Sequence, residues 1–455
     1  MIARLKQLAD ECGFKLASSI ETDTEILGVS TDTRQLRPGE IFVALVGESF
    51  DGHAFVSDAA ERGASAVVAE QGRIEAASLD VPLIEVESTV EALGLLALYW
   101  RRQCRAKVIA VTGSAGKTTT KDMIVSVLAN AGTVTATRAT ENNEVGVPQT
   151  ILRMTTDDDF CVLEFGMRGV GEIDYLARIS RPDVAVITNI GEAHIGRLGS
   201  REAVAQAKAE VLPYLPPDGA AILNADDFFF SLLSNMTTAR VVSFGTRDAD
   251  LVIESVAILN TTSTRAVLGV DGARIEVDLQ VPGRHNVANA AAAAAAALAI
   301  GLDAELIRKG LNEFQGRDMR SQVLSAPRGY TVINDAYNAS PTSVPPAIEV
   351  LATAGGRKIF VFGDMLELGP AAEEAHQRMG RLAAEYGIDV LVGVGKLGAV
   401  AVARAAEAGM ETHKAKNAAA AAKLASDIVK PGDTVLVKAS RGMHLETVVE
   451  ELMRS

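Results

Sequence analysis

The chain has 455 residues, of which 48% are hydrophobic and 22% charged, and a formal net charge of −14. Its length exceeds one ordinary core and points to two or three domains. The acidic balance argues against nonspecific nucleic-acid binding, although local amides and cations can still hold anionic small molecules, and no uncharged apolar run approaches the roughly 18 residues of a membrane span.

Met1–Leu8 lacks the apolar core of a secretion signal and reads as an amphipathic helix, so the chain is expected to be cytoplasmic. Cys12, Cys104 and Cys161 lie far apart without a CxxC pair. They read as small buried thiols in a reducing compartment, and neither a disulfide framework nor a zinc site is expected. A first block, 1–88, carries Gly28-Val-Ser-Thr-Asp-Thr-Arg34, the apolar strand Ile41–Val46, Gly47, the turn Phe50–His53 and the strand Ala66–Ala69. These make a small α/β unit.

A second block, 89–316, opens with the helix Val90–Arg102. Val108–Val111 is a fully apolar run, as expected of a strand buried on both faces of a parallel sheet. A glycine turn follows, then a helix with Met123, Ile124, Val127 and Leu128 inward, closed by Gly132. Cys161–Leu163, Val184–Ile187 and Ala220–Leu223 are further buried strands alternating with helices. Glycine-punctuated segments between about Leu251 and Val281 read as an antiparallel edge, and Ala290–Ala297 as a tightly packed helix. A third block, 317–455, repeats strand and helix through Tyr330–Ile333, Ile359–Phe362, Val390–Val392 and Thr434–Val437. The fold class is therefore α/β in three domains: a central parallel-sheet nucleotide domain between a small α/β domain and a Rossmann-like one. That last domain has no GxGxxG and is assigned no dinucleotide.

Chemistry concentrates first in Val111-Thr-Gly113-Ser114-Ala115-Gly116-Lys117-Thr118-Thr119, between a buried strand and a helix. That context suits a phosphate loop: backbone N–H groups and the positive helix end surround phosphate oxygens, Lys117 supplies a mobile charge, and the Thr118 hydroxyl can ligate Mg²⁺. The spacing GxxGKT is two residues shorter than the common GxxxxGK[ST]. ATP and Mg²⁺ are the expected cofactors. Glu164 closes an apolar strand, where α/β sheets bind ligands, and is either a hard oxygen ligand or a salt-bridged strand end. His194 lies in a loop and Lys208 on a helix. Taken singly, each reads as an ordinary surface residue.

In combination and order, these residues resemble the Mur ligases, the amide-forming enzymes of peptidoglycan precursor synthesis, over essentially the whole chain. The resemblance implies that Glu164 and His194 bind Mg²⁺ and that Lys208 is carbamylated into an anionic metal ligand. Such a neutralised lysine can approach a dication that an ammonium would repel. Pro282-Gly-Arg-His-Asn286-Val-Ala-Asn289 is similar to the family's GxHNxxN segment, which implies that Asn286 and Asn289 meet the adenine. Gly316-Arg317 resembles the arginine that reaches ATP from the last domain, and Asp335 joins the nucleotide set.

Ser30, Thr31 and Arg34, with Gly47, Asp51 and His53, fit the family's uridine-substrate domain. Asn142 and Asn143 are substrate candidates too, although Ala139-Thr140 stands where the family commonly has Gly-Asn. Asn334–Pro341 and Phe362–Gly369 resemble the branch that joins UDP-N-acetylmuramoyl-tripeptide to D-alanyl-D-alanine, with Asp335, Tyr337 and Asn338 completing the site when the last domain closes. The Asp-Asn-Pro-Arg motif of the sister ligase is absent from the sequence. The implied reaction is an ATP-dependent ligation through an acyl phosphate, carried out by a monomer with no nucleic-acid or membrane partner. A sister ligase adding a single amino acid, and a nucleotide switch that ligates nothing, are the competing readings.

Overall fold

The protein is described from a computed structural model, covering residues 3–17, 24–47 and 50–454. Met1 and Ile2, the start of the expected N-terminal helix, lie outside the described residues; the helix itself runs Leu5–Cys12 after a short strand, Ala3–Arg4. Among the described residues no helix is long and apolar enough to cross a membrane.

The chain divides into two compact units. The first comprises Met1–Ala110, Gly132–Met167 and Gly171–Asp183. Its five-stranded sheet runs in the order Lys15–Leu16, Leu83–Val86, Ala66–Glu70, Glu40–Val43, Gly28–Ser30. All neighbours are parallel except the first pair. Ile41, Val43, Ala66, Val68 and Ile84 point to one face and pack with Leu93, Leu96 and Tyr99 of the helix Thr89–Gln103. Phe42, Val67 and Leu83 line the other, so both faces are covered, as a parallel sheet requires. The strand expected over Ile41–Val46 stops at Val43, because Leu45 N–H turns back to Val43 O at 3.0 Å and Gly52 N–H closes onto Leu45 O at 2.8 Å. A parallel pair, Val134–Ala136 beside Phe160–Glu164, belongs to the same unit.

The second unit comprises Val111–Ala131, Arg168–Val170 and Val184–Ser455. Strands Val184–Ile187, Ala220–Asn224, Arg240–Gly245 and Leu251–Ile258 pair in parallel. Thr264–Val270 and Ala273–Leu279 then add antiparallel, confirming the expected antiparallel edge. The helix Arg284–Ala299 carries eight consecutive alanines, Ala290–Ala297, each at most 1% exposed. With only methyl groups on this stretch, the helix can lie close to Lys117–Leu128 and to the sheet.

Lys117–Leu128 ends earlier than its expected closure at Gly132. Asn130 folds back, its Nδ2 donating to Ser126 O at 3.0 Å, and the chain turns over Ala129–Ala131. A six-stranded sheet follows in the order Gln322–Ser325, Thr331–Asn334, Thr434–Lys438, Lys358–Gly363, Val390–Val394, Glu411–Ala415. It is parallel except for its first hairpin. The loops that leave the carboxyl ends of its central strands carry the polar side chains, as open α/β sheets dictate.

Candidate functional site

The phosphate loop leaves the strand Lys107–Thr112 and enters the helix at Lys117. Two of its positions require glycine. Gly113 has φ +144 and Gly116 φ +80, and a Cβ at either would lie 1.9 Å from Thr188 Oγ1 or 2.2 Å from Asn289 Oδ1. The loop is held from outside by Thr188 and Asn189. Asn189 accepts from Ser114 N–H at its backbone (2.9 Å) and from Ala115 N–H at Oδ1 (3.0 Å), while its Nδ2 donates to Ala115 O at 3.0 Å. Thr188 Oγ1 donates to the same oxygen at 2.6 Å, and Ser114 Oγ accepts from Gly191 N–H at 2.8 Å. Lys117 Nζ reaches back to Gly113 O at 2.8 Å, arching over the loop. Thr118 is buried and Thr119 half-buried on the first turn. The helix amino end thus faces the loop, the arrangement that binds phosphate.

Thr120 Oγ1 donates to Asn289 Oδ1 at 3.3 Å, Asn289 Nδ2 to Asn286 Oδ1 at 3.2 Å, and Asn286 Nδ2 to Pro282 O at 2.8 Å. Both asparagines are buried, and this chain of amides ties the alanine helix to the loop. Arg317 Nη1 donates to Asp122 Oδ2 at 3.3 Å, which brings the predicted arginine onto the phosphate-loop helix. Gly116→Ala is expected to lower kcat/KM for ATP by at least about 100-fold, since the new Cβ is strained at φ +80 and would displace Asn289 Oδ1; steady-state kinetics with ATP varied checks it.

Lys208 sits on the last turn of Arg201–Ala209, a helix started by Ser200 Oγ accepting from Ala203 N–H at 3.1 Å. It is 1% exposed, not the solvated lysine that helix position alone suggests. Burial, and then the positive charge of Lys117, push its amine well below lysine's ordinary range. A neutral amine can add CO₂, and the cation that disfavours an ammonium there favours the resulting carbamate anion. His194 holds a left-handed backbone, φ +63. Burial first, then Lys117 and Lys208, lower its pKa, favouring the neutral imidazole that ligates metal.

In the first unit, Glu164 is buried at the end of its strand. Its N–H meets Thr137 Oγ1 at 3.0 Å, and its Oε1 accepts from Asn142 Nδ2 at 2.9 Å. Its Oε2 is buried without a hydrogen-bond partner. A buried carboxylate oxygen left open in this way suits a cation. Among the described residues no three His, Cys, Asp or Glu side chains gather as a metal-binding group.

Three regions of the chain match models of one family: Mur ligase family, catalytic domain (25–101), Mur ligase middle domain (111–297) and Mur ligase, glutamate ligase domain (319–441). A UDP-N-acetylmuramoyl-tripeptide–D-alanyl-D-alanine ligase of Bacillus subtilis is 38% identical, over 100% of this chain and 99% of its own length. The chain belongs to the Mur ligase family. Among solved structures, MurF from Acinetobacter baumannii superposes with a TM-score of 0.92 at 34% identity, covering 100% of this chain and 99% of that one. MurF ligase from Thermotoga maritima in complex with ADP gives 0.83 at 29% identity, covering 94% and 97%. The three-domain α/β architecture expected from the sequence is that of these Mur ligases.

Asn142 orients Glu164, and Asn143 Oδ1 accepts from Gly146 N–H at 3.0 Å, starting the helix Gly146–Leu152. Ala139 takes a left-handed backbone, φ +42, a conformation that glycine adopts more readily. In the first block, Thr31 Oγ1 accepts from Gln149 Nε2 at 2.7 Å, Ser30 Oγ donates to Asp32 O at 3.0 Å, and Arg34, 84% exposed at its side chain, pairs with Asp32. The Phe50 ring lies over Gly47, where a Cβ would be 2.3 Å from it. His53 has both ring nitrogens engaged: Nδ1 lies 2.6 Å from Asp51 Oδ1, and Nε2 accepts from Glu70 N–H at 2.9 Å.

In the last block, Asp335 Oδ2 pairs with the buried Lys438 at 2.5 Å, and Lys438 also donates to Asn338 O at 3.0 Å. The Arg320 guanidinium lies 4.1 Å from the Tyr337 ring centre. Asn189, Asp122 and Lys438 are not singled out by the sequence, although Asn189 opens the segment Asn189-Ile-Gly-Glu-Ala-His194 that ends in a candidate residue. Of the cysteines, Cys104 and Cys161 are buried as expected and Cys12 only half so.

Proposed function

We propose that this Mur ligase joins the terminal carboxylate of UDP-N-acetylmuramoyl-tripeptide to the amine of D-alanyl-D-alanine at the expense of ATP. The whole-chain similarity to a ligase of that name carries the reading, and the clamped phosphate loop and buried, depressed-pKa Lys208 support it. A carboxylate oxygen of the tripeptide attacks the γ-phosphorus and ADP leaves with the bridging oxygen. The dipeptide nitrogen then attacks the acyl carbon, phosphate leaves, and the nitrogen gives up its extra proton. Carboxylate and phosphate repel one another, so the loop N–H groups and Lys117 serve by neutralising charge and aligning the two partners.

In this reading Thr118, Glu164, His194 and carbamylated Lys208 would hold Mg²⁺, which when bound neutralises phosphate charge. Gly113–Thr119, Asn286, Asn289, Arg317 and Asp335 take the nucleotide. Ser30, Thr31, Arg34, Gly47, Asp51, His53, Asn142 and Asn143 serve the uridine-linked substrate, and Tyr337 and Asn338 the dipeptide. Three domains, 1–88, 89–316 and 317–455, divide these tasks, and the protein acts as a cytoplasmic monomer.

Phosphate release measured with ATP, Mg²⁺ and UDP-N-acetylmuramoyl-tripeptide is expected to require D-alanyl-D-alanine. Release that ignores every amine would point to a nucleotide switch. Release that needs a free diamino acid and the shorter precursor would point to the sister ligase.

A further inference from the structure

A carboxylate from the last block reaches His194. The loop that leaves the strand Lys358–Gly363 is pinned residue by residue: Asp364 Oδ1 accepts from Leu397 and Gly398 N–H at 2.9 and 2.8 Å. Met365 N–H donates to His376 Nε2 at 2.9 Å, and Leu366 N–H to Ser440 Oγ at 2.9 Å. The next residue, Glu367, takes a left-handed backbone with φ +63, a conformation rare outside glycine. Its Oε2 lies 3.0 Å from His194 Nδ1, and its Oε1 3.6 Å from Arg197 Nη2.

The two segments meet closely. A Cβ on Gly196 would lie 2.6 Å from Glu367 O and 2.9 Å from Gly369 N. A second ion pair, Arg378–Glu192 at 3.6 Å, joins the same two regions. An ionised carboxylate only accepts hydrogen bonds, so the His194 nitrogen facing Glu367 must carry the proton. That leaves the lone pair on Nε2, the form in which an imidazole ligates a metal, and carboxylates commonly hold metal-binding histidines in this way.

We propose that Glu367 is a positioning residue for His194, fixing its tautomer and ring orientation for a divalent cation. Because Glu367 belongs to the last block, the cation site is complete only while the 364–369 loop sits against Gly196. The inference rests on the proposed role of His194 as a Mg²⁺ ligand.

Mn²⁺ replaces Mg²⁺ as the probe: free Mn²⁺ is followed by electron paramagnetic resonance as it is titrated into the full-length protein with ADP, and ligation is assayed in parallel. Glu367→Ala is expected to weaken Mn²⁺ binding about tenfold or more. Glu367→Gln, whose amide oxygen still accepts from Nδ1, is expected to recover most of the loss. Gly196→Ala leaves His194 and Glu367 in the sequence but forces the segments apart, and is expected to weaken binding as Glu367→Ala does. Unchanged affinity in Glu367→Ala and Gly196→Ala, with His194→Ala weakened, would overturn the inference and leave the ligase reading standing. Unchanged affinity in His194→Ala would overturn the inference and the metal role together, while wild-type ligation would still report on the reaction.

Discussion

Lys117→Ala is expected to abolish amine-dependent phosphate release, lowering kcat by about 10³-fold or more, the scale of removing a preorganised charge from a phosphoryl-transfer site. The protein is expected to remain folded. Thr188, Asn189 and Gly191 hold the loop independently of Lys117, whose Nζ bonds the carbonyl of Gly113 at 2.8 Å. Losing the residue therefore removes charge and leaves the loop's shape. KM for the uridine-linked substrate is expected to change little. A parallel fall in kcat and kcat/KM, with an unaltered melting temperature, identifies an interaction made in the transition state. Because Lys117 also lowers the pKa of Lys208 and His194, its loss should raise both. Part of the effect will therefore shrink as pH increases.

Lys208→Ala is expected to lose ligation by about 10²-fold or more and to regain part of it when acetate or propionate is added, since a small carboxylate can occupy the space of a carbamate near the same cations. Lys208→Met, which fills the space without charge, should be equally inactive but more stable than the wild type in carbonate-free buffer at neutral pH. The unfolded chain keeps this ammonium protonated up to about lysine's ordinary 10.5, whereas the folded chain releases the proton well below it. The unfolded state therefore binds more protons throughout that window, and the wild type's stability rises with pH across it. The advantage of Lys208→Met should accordingly grow as pH falls below 10.5 and vanish above it. Denaturant melts of both proteins from pH 6 to 10.5 test this; a pH-independent difference would show that Lys208 is charged in the fold.

The apolar strands Val184–Ile187, Ala220–Asn224 and Val390–Val394 were legible because burial on both faces leaves an uninterrupted hydrophobic signature. Arg240–Gly245, Gln322–Ser325 and Glu411–Ala415 were missed, since none is apolar throughout and two lie at sheet edges. The glycine loop is legible because positive φ together with close approaches by Thr188 and Asn189 leaves no room for a Cβ at Gly113 and Gly116. Lys208 and His194 were not legible singly: a helical lysine carries no mark of burial, and their meeting through Lys117 joins chain segments about 80 to 90 residues apart. The amides that shape the site, Asn142 on Glu164 and Asn189 on the phosphate loop, act through contacts that spacing along the chain does not encode.

Thr188 and Asn189 also determine how the nucleotide arrives. Both close on Ala115 O, and Asn189 holds the Ala115 N–H as well, so the protein's own groups hold the loop in its curve. Nucleotide binding then orders little new backbone, and its favourable free energy is not drained into shaping the protein. A ligand that kept the triphosphate but lost the base would still find a finished mould, whereas a loosened Asn189→Ala loop would have to be ordered anew at each turnover.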